Sequence, residues 1–315
     1  MNEQRFRIPG PRDGLALSLT RLPAASVRST TPKVVLPKVV LYVHGATFPS
    51  ALSIAYRFDG RSWRDALSDA GFDVWGFDFY GFGSSDRYPG MDLPASENAP
   101  LCDAEDGARQ LECVVRFILG HQNITRLSLI SHSWGAMPAG LFAANHPALV
   151  DRWVLFAPIG RRGPRRYETA PTFPAWRIVT LEDQWKRFVE DVPAHEPPVL
   201  SRRHFEAWSE AYLDSDPDSR QRDPAGVKVP LGPFSDILKA WHGCLPYDPG
   251  QVRAPIAIVR GEWDGLMLDD DARRLFDAFV QSPLRRDIKI GRATHLMHLE
   301  TMRTALWQES IAFLT

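Results

Sequence analysis

Short apolar runs rich in β-branched residues alternate with stretches of helical period over two parts of the chain, 34–158 and 254–313. Buried strands of a parallel sheet form continuous apolar runs, whereas amphipathic helices repeat apolar positions every three to four residues. The pattern predicts strands over 34–45, 71–79, 124–131, 151–158, 254–261 and 284–290. It predicts helices over 61–70, 105–119, 134–146, 269–279 and 299–313. This alternation favours an α/β fold with a mostly parallel, doubly wound sheet.

The first predicted strand contains a repeat, because the sequence Pro-Lys-Val-Val-Leu occurs at 32–36 and again at 37–41. Two copies in the interior of a sheet would compete for one register. Pro37 has no N–H group to donate to a strand ladder. We therefore expect the second copy to form the central strand.

The segment between the two alternating parts differs from them in composition. Of the 26 prolines, 12 lie between 161 and 250, and four of the ten tryptophans lie there too. We interpret residues 161–245 as a helical cap inserted into a core formed by 1–160 and 246–315. Its helices are predicted around Trp176–Val189 and His204–Asp214.

Composition and charge narrow the class of protein. In 315 residues, 37 Lys and Arg balance 38 Asp and Glu for a net charge of -1, which argues against a nucleic-acid binder that works by bulk charge. The three cysteines form no Cys-x-x-Cys pair, so we expect neither a disulfide framework nor a metal site. The N-terminal residues have no apolar leader, and no apolar run reaches the length of a membrane helix. We expect a reduced, cytoplasmic protein without a membrane span.

The most informative stretch is LSLISHSWGAMPAG at 127–140, where a predicted strand changes into a predicted helix. Ser133 lies at the turn, with the small residues Ser131 and Gly135 two positions before and after it. Small residues are needed there because the neighbouring backbone passes close to so tight a turn. The start of the helix offers free N–H groups that stabilise negative charge. Pro138 removes one backbone donor early in this helix.

Two further loops follow predicted strands at the edge where open α/β sheets place their sites. Asp264 lies in Gly261-Glu262-Trp263-Asp264, directly after the strand at 254–261, and Glu262 is the alternative acid. His295 lies in the loop after the strand at 284–290, and His298 is the alternative base at the start of the closing helix.

Ser131-His132-Ser133-Trp134-Gly135 resembles the G-x-S-x-G nucleophile elbow of the alpha/beta-hydrolase family, with Ser131 where the motif has Gly. The resemblance extends to His44-Gly45 after the first strand, to the turn DFYGFGSSD at 78–86 and to the order Ser, Asp, His along the chain. The family often has Gly before its histidine, where this chain has Thr294.

The resemblance implies a catalytic triad of Ser133, Asp264 and His295. It also implies an oxyanion hole formed by the backbone N–H groups of Ala46 and Trp134, with Thr47 as a neighbouring possibility. His44 is expected to order its loop, and Asp78, Gly81 and Gly83 are expected to shape theirs, without taking part in the chemistry.

The implied activity is hydrolysis of a carboxylic ester of a small or medium hydrophobic substrate, without a metal or organic cofactor. Thioesters, lactones, C–C bonds and acyl transfer remain alternatives, and so does a ligand-binding protein of the same fold without turnover. The oligomeric state stays open. A basic cluster at the cap entrance is a further candidate site for an anionic group: Arg161, Arg162, Arg165 and Arg166. Four tryptophans of the predicted cap are candidates for the substrate pocket: Trp176, Trp185, Trp208 and Trp241.

Overall fold

The computed structural model describes residues 3–25, 38–163 and 173–315. An eight-stranded sheet has the spatial order β1-β2-β4-β3-β5-β6-β9-β10. Its strands are β1 (Gln4–Pro9), β2 (Ala16–Leu22), β3 (Lys38–Val43), β4 (Phe72–Asp78), β5 (Leu127–His132), β6 (Val150–Phe156), β9 (Ile256–Gly261) and β10 (Arg285–Ile290). All neighbouring pairs from β4 to β10 are parallel, while β1 and β2 are antiparallel additions at one edge.

Helices cover both faces of this sheet, as the doubly wound prediction requires. The helices outside the central segment are α1 (Trp63–Asp69), α2 (Ala104–Gln122), α3 (Ala136–Asn145), α7 (Asp269–Ala278) and α8 (Arg303–Leu314). The strand period of two directs alternate residues to opposite faces. In β3, Val40 and Tyr42 pack with α1 and α8, whereas Leu41 packs in the cluster that contains residues of α2, α3 and α7.

The described part of residues 161–245, called the insertion below, forms two strands and three α-helices between β6 and β9. These are β7 (Trp176–Thr180), α4 (Leu181–Val189), α5 (Arg202–Asp214), β8 (Gly226–Pro230) and α6 (Gly232–Trp241). Strands β7 and β8 pair antiparallel in a sheet of their own. Buried residues of the insertion such as Phe188, Trp208 and Val229 belong to the same apolar cluster as α2 and α3.

Most predicted elements are present within a few residues of their expected bounds, and three differences stand out. Strands β1 and β2 were not predicted, because their residues are largely exposed or half-buried and form no apolar run. The helix predicted from Trp176 begins only at Leu181, since Thr180 caps it in a reciprocal pair with Asp183. The insertion is therefore not purely helical, and β8 and α6 were missed.

Of the two copies of Pro-Lys-Val-Val-Leu, the structure describes most of the second. Strand β3 uses the second copy and lies between β4 and β5, as predicted. The first copy, at 32–36, lies outside the described residues. Within the described ranges, no helix combines the length and the apolar character that a membrane span requires.

Candidate active site

The elbow at Ser133 has the strained backbone that its sequence predicts. Strand β5 ends at His132, and a short 3-10 turn over Ser133–Gly135 leads into α3. Ser133 has φ of 55°, in the left-handed region that is costly for a residue with a side chain. The Oγ atom of Ser131 accepts from the indole N–H of Trp153 at 2.8 Å, so a buried bond occupies the hydroxyl at the position where the motif has Gly. The first N–H groups of the turn have no partner within the helix.

The structure brings Ser133, His295 and Asp264 into one hydrogen-bonded chain. The Nε2 atom of His295 lies 2.8 Å from the Oγ of Ser133. The Nδ1 atom of His295 lies 3.0 and 3.1 Å from the two carboxylate oxygens of Asp264. Because a carboxylate only accepts, Nδ1 carries the proton and Nε2 is free to accept from the serine hydroxyl. All three side chains are buried, with relative exposures of 5%, 3% and 4% for Ser133, His295 and Asp264.

Backbone contacts hold Asp264 in place. Its Oδ1 accepts from the N–H groups of Leu266 at 2.9 Å and Met267 at 3.1 Å. Gly261, three residues earlier, has no room for a side chain, since a Cβ there would lie 2.2 Å from the carbonyl oxygen of Ala293. This close approach joins the loop of the acid to the loop of the base. The alternative acid, Glu262, instead accepts from the backbone N–H of Arg292 on the exposed side of the loop.

The loop after β3 lies against the elbow. A Cβ at Gly135 would lie 2.3 Å from the carbonyl oxygen of His44, so this contact needs glycine. His44 donates from Nδ1 to the carbonyl of Gly45 at 2.7 Å and accepts at Nε2 from the N–H of Phe79 at 3.0 Å. Burial lowers the pKa of His44 to about 4, which keeps the ring neutral. His44 therefore orders the loop that carries Ala46 to the side of Ser133.

The turn at 78–86 is held by the buried carboxylate of Asp78. Asp78 accepts from the N–H and hydroxyl of Ser50 at 3.0 and 2.8 Å and from the N–H of Ser84 at 3.1 Å. Burial raises the pKa of this carboxyl group. These contacts agree with an architectural part for the turn.

Two more histidines lie near His295: His298, which the sequence offered as the alternative base, and His132, for which sequence reasoning gave no role. His132 donates from Nε2 to the carbonyl oxygen of His295 at 3.1 Å, and its ring stacks on Phe156. Burial lowers the pKa of His132 well below its ordinary value. His298 packs beside His132 and Phe48, and among the described residues neither of its ring nitrogens has a hydrogen-bond partner. The triad geometry therefore includes His295 and not His298.

A cavity of about 380 Å³ opens over Ser133 and His295. The loop after β3 contributes Gly45, Ala46, Thr47 and Phe48, and the insertion contributes residues from β7, α4 and α6. Of the two predicted oxyanion-hole residues, Ala46 lines the cavity. Trp134 directly follows Ser133, which also lines it. The cavity is thus bounded both by the sheet edge and by the insertion.

Only one of the four candidate pocket tryptophans, Trp241, lines this cavity. The prediction needs correction for the other three, whose rings are used in packing. Trp208 is fully buried and donates to the carbonyl of Leu52 at 3.0 Å. Trp185 stacks under the guanidinium of Arg202. Trp176 donates to a backbone carbonyl, that of Leu93 at 3.1 Å.

Arg161 and Arg162, the two described arginines of the predicted basic cluster, do not line the cavity over Ser133. Arg162 bonds to Asp271 at 2.8 Å and to the carbonyls of Gly265 and Leu266 at 3.1 and 3.0 Å. Arg161 lines a separate cavity of about 280 Å³. Arg165 and Arg166 lie outside the described residues. Among the described residues, the cations that line the main cavity are Arg177, Lys186 and Arg187, which sequence reasoning missed.

A buried carboxylate behind the elbow was missed as well. The Oδ2 atom of Asp236, in α6, accepts from the indole N–H of Trp134 at 3.1 Å and from the N–H of Ala104 at 2.7 Å. Burial raises the pKa of Asp236. Asp236 and Trp134 lie 102 positions apart in the sequence, so no local pattern signals the contact.

Comparison with known proteins agrees with this architecture. The thioesterase domain from the curacin biosynthetic pathway is 16% identical, with 99% of this chain and 100% of that chain covered and a TM-score of 0.62. Epoxide hydrolase A from Mycobacterium thermoresistibile is 14% identical over 99% and 98%, with a TM-score of 0.64. The esterase EaEST from Exiguobacterium antarcticum is 16% identical over 96% of each chain, with a TM-score of 0.63. At such identities the likeness concerns the fold alone.

A search of curated protein sequences gave no significant match. The sequence profile described as the alpha/beta hydrolase fold matches residues 38–301, which is most of the chain. The match runs from β3 through the insertion to the loop that carries His295, and it agrees with the sheet order and the elbow described above. The chain therefore belongs to the alpha/beta hydrolase family.

Proposed function

We propose that this protein is a serine hydrolase that cleaves carboxylic esters of small or medium hydrophobic substrates through an acyl-enzyme. The observation that carries the proposal is the buried chain Ser133–His295–Asp264, whose hydroxyl end faces a cavity. A serine hydroxyl is a weak nucleophile until a neighbouring base accepts its proton. The 2.8 Å contact to Nε2 supplies that base.

In the proposed reaction, the Oγ of Ser133 attacks the ester carbonyl carbon while Nε2 of His295 takes the hydroxyl proton. Asp264 keeps the imidazole in the tautomer that can accept, and it stabilises the imidazolium that forms. The tetrahedral oxyanion is received by the backbone N–H groups of Ala46 and Trp134. Donors of this kind are worth about 3 to 4 kcal/mol in the transition state.

The tetrahedral intermediate collapses when the C–O bond to the leaving alcohol breaks and His295 returns the proton to the alcohol oxygen. Water then attacks the acyl-enzyme with His295 as general base, which releases the acid and restores Ser133. The insertion acts in this proposal as a cap. The support for a cap is that residues of β7, α4 and α6 line the cavity together with Ser133 and His295.

The apolar part of the cavity lining supports a hydrophobic substrate. Ligand sites are mostly apolar with a few placed polar groups. The apolar residues that line the cavity are Phe48, Phe173, Val179, Phe234, Ile237, Leu238, Trp241, Leu266 and Leu296.

Covalent labelling tests the nucleophile directly. A fluorophosphonate is expected to label the folded protein at Ser133, identified by peptide mass spectrometry, and Ser133→Ala is expected to abolish labelling and ester turnover. Ser84→Ala, at an exposed serine, serves as the matched control and is expected to label like the wild type. Labelling that persists in Ser133→Ala, or no labelling of folded wild type, would contradict the proposal.

A chain-length series tests the substrate class. Initial rates with 4-nitrophenyl esters from acetate to dodecanoate are expected to rise and then fall as the acyl chain fills the cavity. Product analysis with an added alcohol distinguishes transfer to water from transfer to the alcohol. Equal rates across the series would contradict recognition of the acyl chain by the cavity.

A further inference from the structure

The walls of the cavity differ in character from one element to the next. Helix α6 contributes only apolar side chains: Phe234, Ile237, Leu238 and Trp241. Strand β7, helix α4 and the residue that follows α4 contribute five charged ones: Arg177, Asp183, Lys186, Arg187 and Glu190. A cavity that served a purely apolar ester would gain nothing from a wall with this concentration of charge.

The two acids of this wall are engaged within the protein. Asp183 accepts from the N–H and hydroxyl of Thr180 at 2.9 and 3.0 Å, as the cap of α4. Glu190 binds the Nη1 of Arg187 at 2.8 Å, and Asp191 binds the same nitrogen at 3.1 Å. Their negative charge is thus committed to a helix end and to one guanidinium.

Two cations of the wall have no carboxylate partner among the residues that the structure describes. Arg177 and Lys186 are exposed, and neither joins an ion pair in the part of the chain that the structure describes. The guanidinium of Arg177 lies over the ring of Phe234, 4.4 Å from its centroid, where the charged wall meets the apolar one. The Nη2 of Arg187 is buried and has no hydrogen-bond partner among the described residues.

We propose that the substrate of this cavity is an anionic amphiphile, an ester with an apolar chain against α6 and a carboxylate, sulfate or phosphate group near Arg177 and Lys186. This inference rests on the proposed esterase function and adds the charge of its substrate. Arginine and lysine are the side chains that recognise such oxyanions, arginine as a planar fork and lysine as a point charge. The proposed contact holds the substrate and takes no part in bond breaking.

Matched ester pairs test the proposal. The acyl side is tested with 4-nitrophenyl octanoate against the monoester 4-nitrophenyl hydrogen suberate, which ends in a carboxylate. The leaving-group side is tested with phenyl octanoate against 4-sulfophenyl octanoate. We expect kcat/KM to favour the anionic member of at least one pair, and the pair that responds identifies the side of the ester that carries the charge.

Charge removal at the wall completes the test. Arg177→Gln and Lys186→Gln are each expected to lower kcat/KM for the anionic ester by up to about fivefold more than kcat/KM for its neutral partner. The preference of the wild type for the anionic ester is also expected to shrink as the salt concentration rises from about 0.02 to about 0.5 M. Over this range the Debye length shortens, so the charges are screened more strongly. Arg202→Gln is the control, an exposed cation of the insertion that does not line the cavity.

The outcomes are separable from those of the proposed function. Turnover of neutral esters with no preference for either anionic member, or an equal loss for both members of a pair in the variants, would overturn the anionic substrate while the esterase proposal stands. No turnover of any ester, and no labelling of Ser133, would overturn the esterase proposal itself.

Discussion

Glu300 is a buried acid whose titration should appear in the pH dependence of stability. It follows the loop of His295, is fully buried, and accepts from both the N–H and the hydroxyl of Thr294. Burial, with a smaller contribution from the charge of Asp264, raises its pKa from the ordinary 4.5 to about 7. The two hydrogen bonds from Thr294 act in the opposite direction and do not offset burial.

The sign of the effect follows from which state binds the proton more tightly. Because the folded pKa lies above the unfolded one, protonated Glu300 favours the native state. The stabilisation is fully present below pH 4.5 and is lost as the pH rises toward 7. A displacement of the pKa from 4.5 to about 7 corresponds to about 3 kcal/mol.

Glu300→Gln replaces the acid by a neutral side chain of the same size that keeps an acceptor for Thr294. We expect the variant and the wild type to have similar free energies of unfolding at pH 4.5. The variant should then become more stable by up to about 3 kcal/mol as the pH reaches 8. Urea unfolding followed by tryptophan fluorescence, repeated in steps between pH 4.5 and 8.5, measures the difference.

Glu206→Gln is the matched control, since Glu206 is an exposed carboxylate on α5. It is expected to show no comparable dependence on pH. A constant difference between Glu300→Gln and the wild type across the whole range would refute the reasoning, because a flat line requires that the pKa of Glu300 in the folded protein is no higher than in the unfolded chain.

Three further predictions concern the site. Asp264→Asn is expected to lower kcat by about 10⁴ with little change in KM, because the amide no longer fixes the His295 tautomer, and steady-state kinetics measures this. Asp236→Leu removes both hydrogen bonds to the Oδ2 atom and should affect kcat more than KM. Asp236→Asn keeps one oxygen for both donors and should restore the rate. Combining either variant with Trp134→Phe shows whether the effect passes through the indole. Gly135→Ala places a Cβ 2.3 Å from a carbonyl oxygen of the neighbouring loop. The variant should lose about 1 to 3 kcal/mol of stability, measured by thermal unfolding, and most of its activity. Unchanged stability would contradict that contact.

The parallel sheet was predictable because each of its strands is a local apolar run between turn residues. The same rule missed β1 and β2, which pair antiparallel at the edge and bury few side chains. It also extended α4 backward through Trp176, since an aromatic residue next to apolar ones fits either period. Here the conformation of Trp176–Thr180 was decided by its pairing with β8 (Gly226–Pro230), which lies far along the chain.

The candidate triad was predictable because three loops at one sheet edge each carried a chemically distinctive residue. The cavity lining was not predictable to the same degree. Trp208 and Trp241 look alike in sequence, yet one packs in the core and the other lines the cavity. Burial against neighbours from distant segments makes that difference, and composition does not record it. Asp236 and the cations of α4 went unnoticed for the same reason.

The bond from Asp236 to the indole of Trp134 also bears on how this protein can acquire new substrates. Helix α6 supplies the apolar wall of the cavity and is tied through that bond to the residue after Ser133. Helix α4 supplies the charged wall, and within the described ranges no hydrogen bond joins it to the elbow. Changes in α6 therefore alter specificity and rate together, whereas changes in α4 alter specificity more independently. In directed evolution, randomised positions in α4 should leave a larger share of active clones than the same number of positions in α6.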